Sequence, residues 1–287
     1  MTDDWTPTAR ETAADRIATL DPETDFEEIA RLLVLYEFSW DIERSLEFAL
    51  FRTYAVPSIS GLLAKTGEFQ ARTRKRYDDT EILLSEAAEH GLDSDRGRAS
   101  VGRINAMHAR YRIANADMLY VLTTFICEPI RWLDRFGRRP MTQRERQGWF
   151  AYYHALGVRM GIADLPGSLA AADRLNRACE AERFRFAESN RRIATVTRDL
   201  LLGFYLPHPL VPLGRPVVHA LLDDPLRAAM GVPAAPRWLR RLVPAALRLR
   251  ARILRRLPPR RTARRLTQVP RPSYPAGYRI EDIGTFR

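Results

Sequence analysis

The sequence predicts an all-α protein: one large helical domain followed by an arginine-rich C-terminal extension. Apolar residues recur at three- and four-residue spacing along most of the chain. Helix start and stop residues punctuate those stretches. No segment shows strand alternation or a hairpin turn, and no internal repeat is visible. Residues 1–230 are expected to form the helical body. Residues 231–287 are expected to form a basic, proline-divided extension.

Phe26, Ile29, Leu32 and Tyr36 share one helical face. Ser39 suits an N-cap before Trp40, Leu46, Leu50 and Tyr54, and Pro57 breaks that helix and can start the next. A long helix is expected from about Glu68 to His90, stopped by Gly91. Another stretch runs from about Ser100 to Cys127, ended by Glu128-Pro129, with a bend at Asn115-Ala116-Asp117 as an alternative. Thr142 and Glu145 read as a capping box opening a helix with Trp149, Tyr153 and Leu156. Helices follow over about 167–188 and 191–202. Residues 206–212 then read as an extended apolar connector, and five prolines divide the arm beyond it into short pieces.

Composition is that of a globular protein, with 46% hydrophobic and 28% charged residues in 287. The net charge of +11 is local. Arg237 to Arg265 hold 12 arginines and no acid, so the remainder sums to about neutral. That argues against a nucleic-acid-binding surface spread over the molecule. Two cysteines, Cys127 and Cys179, exclude a disulfide scaffold or a four-thiolate metal site. No run of about 18 apolar residues reads as a membrane span. The acidic start, Met1 to Trp5, does not read as a signal peptide, so a cytoplasmic location is expected.

Two helices carry polar groups on faces that ought to be buried. Arg76 and Thr80 fall on the stripe of Phe69 and Leu84. A guanidinium on such a face needs an anion, and Asp79 or Glu68 could supply it structurally. Asn105, His108, Arg112 and Asn115 are expected on successive turns of one further face. A neutral imidazole there can ligate iron, zinc or copper, although a lone histidine is more often a satisfied core residue. No second histidine lies four residues away, so a closed multi-histidine site is not expected. A single histidine suffices for haem, whose porphyrin supplies four nitrogens.

These residues carry a family resemblance. Arg76-x-x-x-Thr80, Arg103-Ile-Asn105-Ala-Met-His108-Ala-Arg-Tyr-Arg112 and Asn115-x-Asp117 resemble the MpaB/rubber-oxygenase catalytic domain family of helical b-type haem proteins. Phe136-Gly137-Arg138, Glu145 and Gly157-x-x-Met160-Gly161-Ile162-x-Asp164 add to the likeness. The resemblance implies haem b, with His108 as the axial iron ligand and Arg76 and Thr80 lining the distal side. It implies that Arg112 reaches a haem propionate, with Asn105 and Asn115 also at the cofactor. Asp79 stands where latex clearing proteins use a lysine, and is expected to relay protons or pair with Arg76. No acid lies between Pro57 and Lys65, where those proteins use a base, which argues against polyisoprene as the substrate.

The functional expectation is a haem-dependent oxygenase that activates dioxygen to oxidise or cleave an apolar, unsaturated, isoprenoid- or lipid-like molecule. The alternative is a non-catalytic helical protein whose basic arm binds acidic membrane surfaces or partners. Leu239, Leu242, Val243, Ala246, Leu247, Leu254 and Leu257 would form its apolar face, opposite Arg240, Arg241, Arg248, Arg252 and Arg255. The two readings meet in an enzyme peripheral to an anionic membrane.

Overall fold

The computed structural model describes residues 5–8 and 10–284, so the acidic start at Met1 to Asp4 lies outside the described residues. The chain runs α1 (Ala13–Thr19), α2 (Phe26–Leu32), a π turn (Leu33–Glu37), α3 (Ser39–Tyr54), α4 (Pro57–Thr66) and α5 (Glu68–Ala71). It continues through α6 (Thr73–His90), α7 (Asp95–His108), α8 (Asn115–Phe136), α9 (Gln143–Arg159) and α10 (Leu169–Arg183). The last helices are α11 (Glu188–Gly203), α12 (Val211–His219), α13 (Asp224–Met230) and α14 (Arg237–Leu254). Extended pairing among the described residues is one isolated bridge, Arg271 with Tyr274. The fold is all-α.

Helix α8 is central, packed on α3, α9, α10 and α14. The main core gathers Ile29, Leu33, Ile126, Leu133 and Trp149 from α2, the π turn, α8 and α9, with Phe38 from the junction before α3. A second core lies under α11, with Phe51, Tyr54, Phe69, Ile193 and Met230. A third joins α6 and α7 to the C-terminal tail through Ile82, Leu83, Ile104, Ile280 and Ile283.

Local signals act as expected in several places. Thr142 and Glu145 form the capping box of α9. Gly91 closes α6 at φ 88°, a backbone region that side-chain-bearing residues avoid. Elsewhere packing overrides them. Helix α8 passes through Pro129, where the sequence pointed to an end, because Ile126, Cys127, Ile130 and Leu133 are all buried around it. Helix α14 likewise continues through Pro244. The long helix expected from residue 68 is interrupted at Arg72, which leaves α5 as a single turn.

The C-terminal tail is built into the body. The Arg264 N–H donates to the Leu35 carbonyl at 3.0 Å, and Thr267 donates its hydroxyl to Glu89 at 2.6 Å. Ile283 is completely buried. No described helix is long and apolar enough to cross a membrane.

Candidate cofactor site

Arg76 and Thr80 lie one turn apart on α6, and His108 is the last residue of α7, which packs on α6. Arg76 Nη1 donates to Thr80 Oγ1, and the Thr80 hydroxyl also reaches the Arg76 carbonyl at 3.1 Å. Burial first, then the positive charge of Arg76, pushes the His108 imidazole down to about 4. At neutral pH the ring is therefore uncharged, the form that ligates a metal. Its Nδ1 is sealed from solvent and has no hydrogen-bond partner. An unmade bond at a buried polar atom costs about 1–3 kcal/mol.

Neither structural partner that the sequence offered Arg76 is available to it. Glu68 takes Arg72 at 2.7 Å, and Asp79 takes Lys75 Nζ at 2.9 Å. Among the described residues no carboxylate pairs with Arg76. Its guanidinium lies 5.6 Å from the centre of the Phe69 ring. A half-buried cation with an aromatic neighbour and no carboxylate partner, beside an unpartnered imidazole, is chemically able to receive an anionic group.

The other expected site residues are placed differently. The Asp79 carboxylate accepts from Lys75 and from the Tyr274 hydroxyl, so it is committed to the tail rather than to Arg76. It sits about 100° around the helix from Thr80. Asn105, His108, Arg112 and Asn115 do not share one helical face, because α7 ends at His108 and α8 begins at Asn115. Asn105 Nδ2 donates to the Arg159 carbonyl at 2.9 Å. Asn115 donates to the Ala163 carbonyl at 3.1 Å and accepts from the Ala163 N–H at 2.9 Å. Both asparagines thus clamp the turn after α9, where Gly161 and Asp164 adopt positive φ. Arg112 is exposed in the 109–114 link. The His154 ring lies 5.8 Å from that of Phe150, tilted by 49°.

Thr80 also borders an apolar cavity of about 100 Å³ between α2, α3, α6, α8 and α9, with Leu46, Leu50, Leu84, Phe125 and Trp149 in its walls. Sequence reasoning missed the carboxylates that share this wall. Glu47 pairs with Arg44 at 2.9 Å and accepts from the Tyr77 hydroxyl at 3.0 Å. Burial outweighs Arg44, which Glu43 shares, and pushes Glu47 up to about 8. The spacing of Glu43 to Glu47 and of Tyr77 to Glu81 was visible as two helical pairs. Their meeting across α3 and α6 was not.

The donor set of these residues is compatible with a haem. His108 offers a neutral, unpartnered nitrogen, and Arg76 an unpaired guanidinium suited to a propionate. Among the described residues no three His, Cys, Asp or Glu side chains converge to hold a bare metal ion. One histidine suits a metal that brings its own equatorial ligands.

Residues 51–257 match the family described as ER-bound oxygenase mpaB/B′/Rubber oxygenase, catalytic domain. The chain belongs to this family. The matched span contains Arg76, Thr80 and His108. The ER-bound oxygenase mpaB′ of Penicillium brevicompactum is 34% identical over 254 residues, which cover 82% of this chain and 60% of that protein. The ER-bound oxygenase mpaB of Penicillium roqueforti is 32% identical over 212 residues, 68% of this chain and 71% of that one. Other positions that carry the family resemblance have structural work in this chain. Arg138 and Arg139 both pair with the buried Glu37, and Arg139 also pairs with Glu145 at 2.6 Å.

Proposed function

We propose that this protein is a haem b-dependent oxygenase that uses dioxygen to oxidise or oxidatively cleave an apolar, unsaturated, isoprenoid- or lipid-like substrate. The observation that carries this reading is the pairing of an unpartnered, neutral His108 with a carboxylate-free Arg76. His108 would ligate the iron through its ring, and bound haem would supply the activation of dioxygen.

The chain's own side chains have separable tasks. Arg76 contributes a fixed positive charge for a propionate or for negative charge that develops during the reaction. Thr80 holds Arg76 in position with its hydroxyl and borders the cavity at the same time. The cavity walls are mostly hydrocarbon and aromatic, so they bind apolar substrate and exclude water. Glu47, pushed up to about 8 by burial, stands in that wall beside Arg44 and can hold or pass a proton there. Family membership and the relatives' names as oxygenases support the reaction class.

Visible absorption of protein produced with ample haem tests the proposal. Wild type is expected to show a Soret band with about one haem per chain. His108→Ala should abolish or strongly shift that band while the helical far-ultraviolet signal persists. A His108→Ala spectrum identical to wild type would overturn the assignment.

A further inference from the structure

Helix α14 has two apolar faces, and the body uses one of them. Ala251 is buried on the inner face, with Val243, Leu247 and Leu254 partly covered beside it. The outer face carries Trp238, Leu242, Leu249 and Ile253, each more than half exposed. Their spacing places them on one stripe of the helix. Arg241, Arg248 and Arg252 follow one edge of that stripe and are exposed. Among the described residues none of these three pairs with a carboxylate. Helix α12 packs beside α14 and exposes Leu213, at 74%, and Val217.

The sequence pattern had merged these two faces into one. The structure separates them and fixes their orientation. Arg250 pairs with Asp41 at 2.9 Å and lies 3.7 Å from the Trp40 ring centre. Arg255 Nε donates to the Arg138 carbonyl at 2.5 Å. These inner contacts hold α14 to the body while its outer stripe stays uncovered. Apolar side chains clustered on one surface and rimmed by charge mark an interaction site.

We propose that the outer face of α14, with α12 beside it, docks in the plane of an anionic lipid bilayer. Trp238, Leu242, Leu249 and Ile253 enter the boundary between headgroups and acyl chains, and the arginine edge meets lipid phosphates and carboxylates. A bilayer supplies both things this face lacks, hydrocarbon contact and fixed anions. Self-association through the stripe would bring together unpaired arginines with no carboxylate to receive them. The inference is independent of the cofactor reading and would stand for a protein that bound no haem.

The test is co-sedimentation of the full chain with vesicles of phosphatidylcholine alone and of phosphatidylcholine mixed with phosphatidylserine. Wild type should bind the mixed vesicles at low salt, release as salt rises, and bind neutral vesicles weakly. Arg241→Gln/Arg248→Gln/Arg252→Gln should lower partitioning to the mixed vesicles roughly a hundredfold, at about 1 kcal/mol per arginine. Trp238→Ser/Leu249→Ser should weaken binding at every salt concentration. All five positions are exposed, so both variants should keep the wild-type helical signal. Equal binding to the two vesicle types, binding to neither, or unchanged binding by both variants would overturn the proposal. So would a wild-type dimer that Leu242→Glu converts to monomer, which would make a second copy the occupant.

Discussion

Along α6, Arg74 and Lys75 each reach a carboxylate one turn on, Asp78 and Asp79, whereas Arg76 reaches a hydroxyl and no carboxylate. Asp78 and Asp79 are buried, and the tail completes them. The Ser273 hydroxyl donates to Asp78 at 2.6 Å, Arg271 faces Asp78 at 3.7 Å, and Tyr274 donates to Asp79. Three consecutive cations on one helix therefore have two fates. Where every charge is answered, the residues hold the tail to the body. Where a cation has no carboxylate partner and lies beside an unpartnered imidazole, the residues carry the proposed cofactor site. A charged residue on a core-facing stripe is informative about function only after its neighbours' pairings have been counted.

The largest expected effect breaks the answered side. Arg271 is buried against Glu81 and Asp78, so Arg271→Leu takes the cation from the partly buried Glu81 and leaves Asp78 with Arg74 alone. That should cost about 3–5 kcal/mol in denaturant unfolding. The tail cannot be treated as a dispensable arm, because its removal would take the hydroxyls of Ser273, Tyr274, Tyr278 and Thr267 from Asp78, Asp79, Glu86 and Glu89. A variant as stable as wild type would show that the tail's ion pairs contribute little.

Much of this division was legible in the sequence, and part was not. The spacing of Arg76 and Thr80 placed both on one stripe, and the structure joins them by a hydrogen bond. His108 was singled out as a polar residue on an inward face; it is partly buried, with its Nδ1 sealed from solvent. The break after His108 carried no glycine or proline. It arises from tertiary clamps that no local pattern shows: Asn105 and Asn115 hold the turn after α9, and Arg183 and Ser58 both bond Asp117 at the start of α8. Asp79 was assigned to the site by its position between Arg76 and Thr80. Helical geometry turns it toward Tyr274, which lies far along the chain.

A smaller effect sharpens the comparison through pH. His219 is buried against Arg198 at 3.0 Å, and burial with that guanidinium pushes it down to about 4, as for His108. A base whose pKa is lowered on folding binds its proton first in the unfolded chain. Stability from these groups is thus fully present above about 6.5 and is lost as pH falls toward 4. His219→Gln should make the loss between pH 6.5 and 4 shallower by about 1–3 kcal/mol in denaturant titrations of cofactor-free protein. An unchanged acid profile would mean that His219 titrates normally in the folded protein.

The most direct measurement compares Lys75→Met with Arg76→Gln in one experiment, reading thermal stability and the visible spectrum of haem-loaded protein for each. Lys75→Met removes the cation from the buried Asp79 and should cost about 1–3 kcal/mol while leaving the spectrum unchanged. Arg76→Gln leaves no carboxylate behind and should change stability by less than about 0.5 kcal/mol, yet shift the spectrum or lower haem retention. Contradiction would come from the reverse pattern, an Arg76→Gln protein destabilised as much as Lys75→Met with a wild-type spectrum.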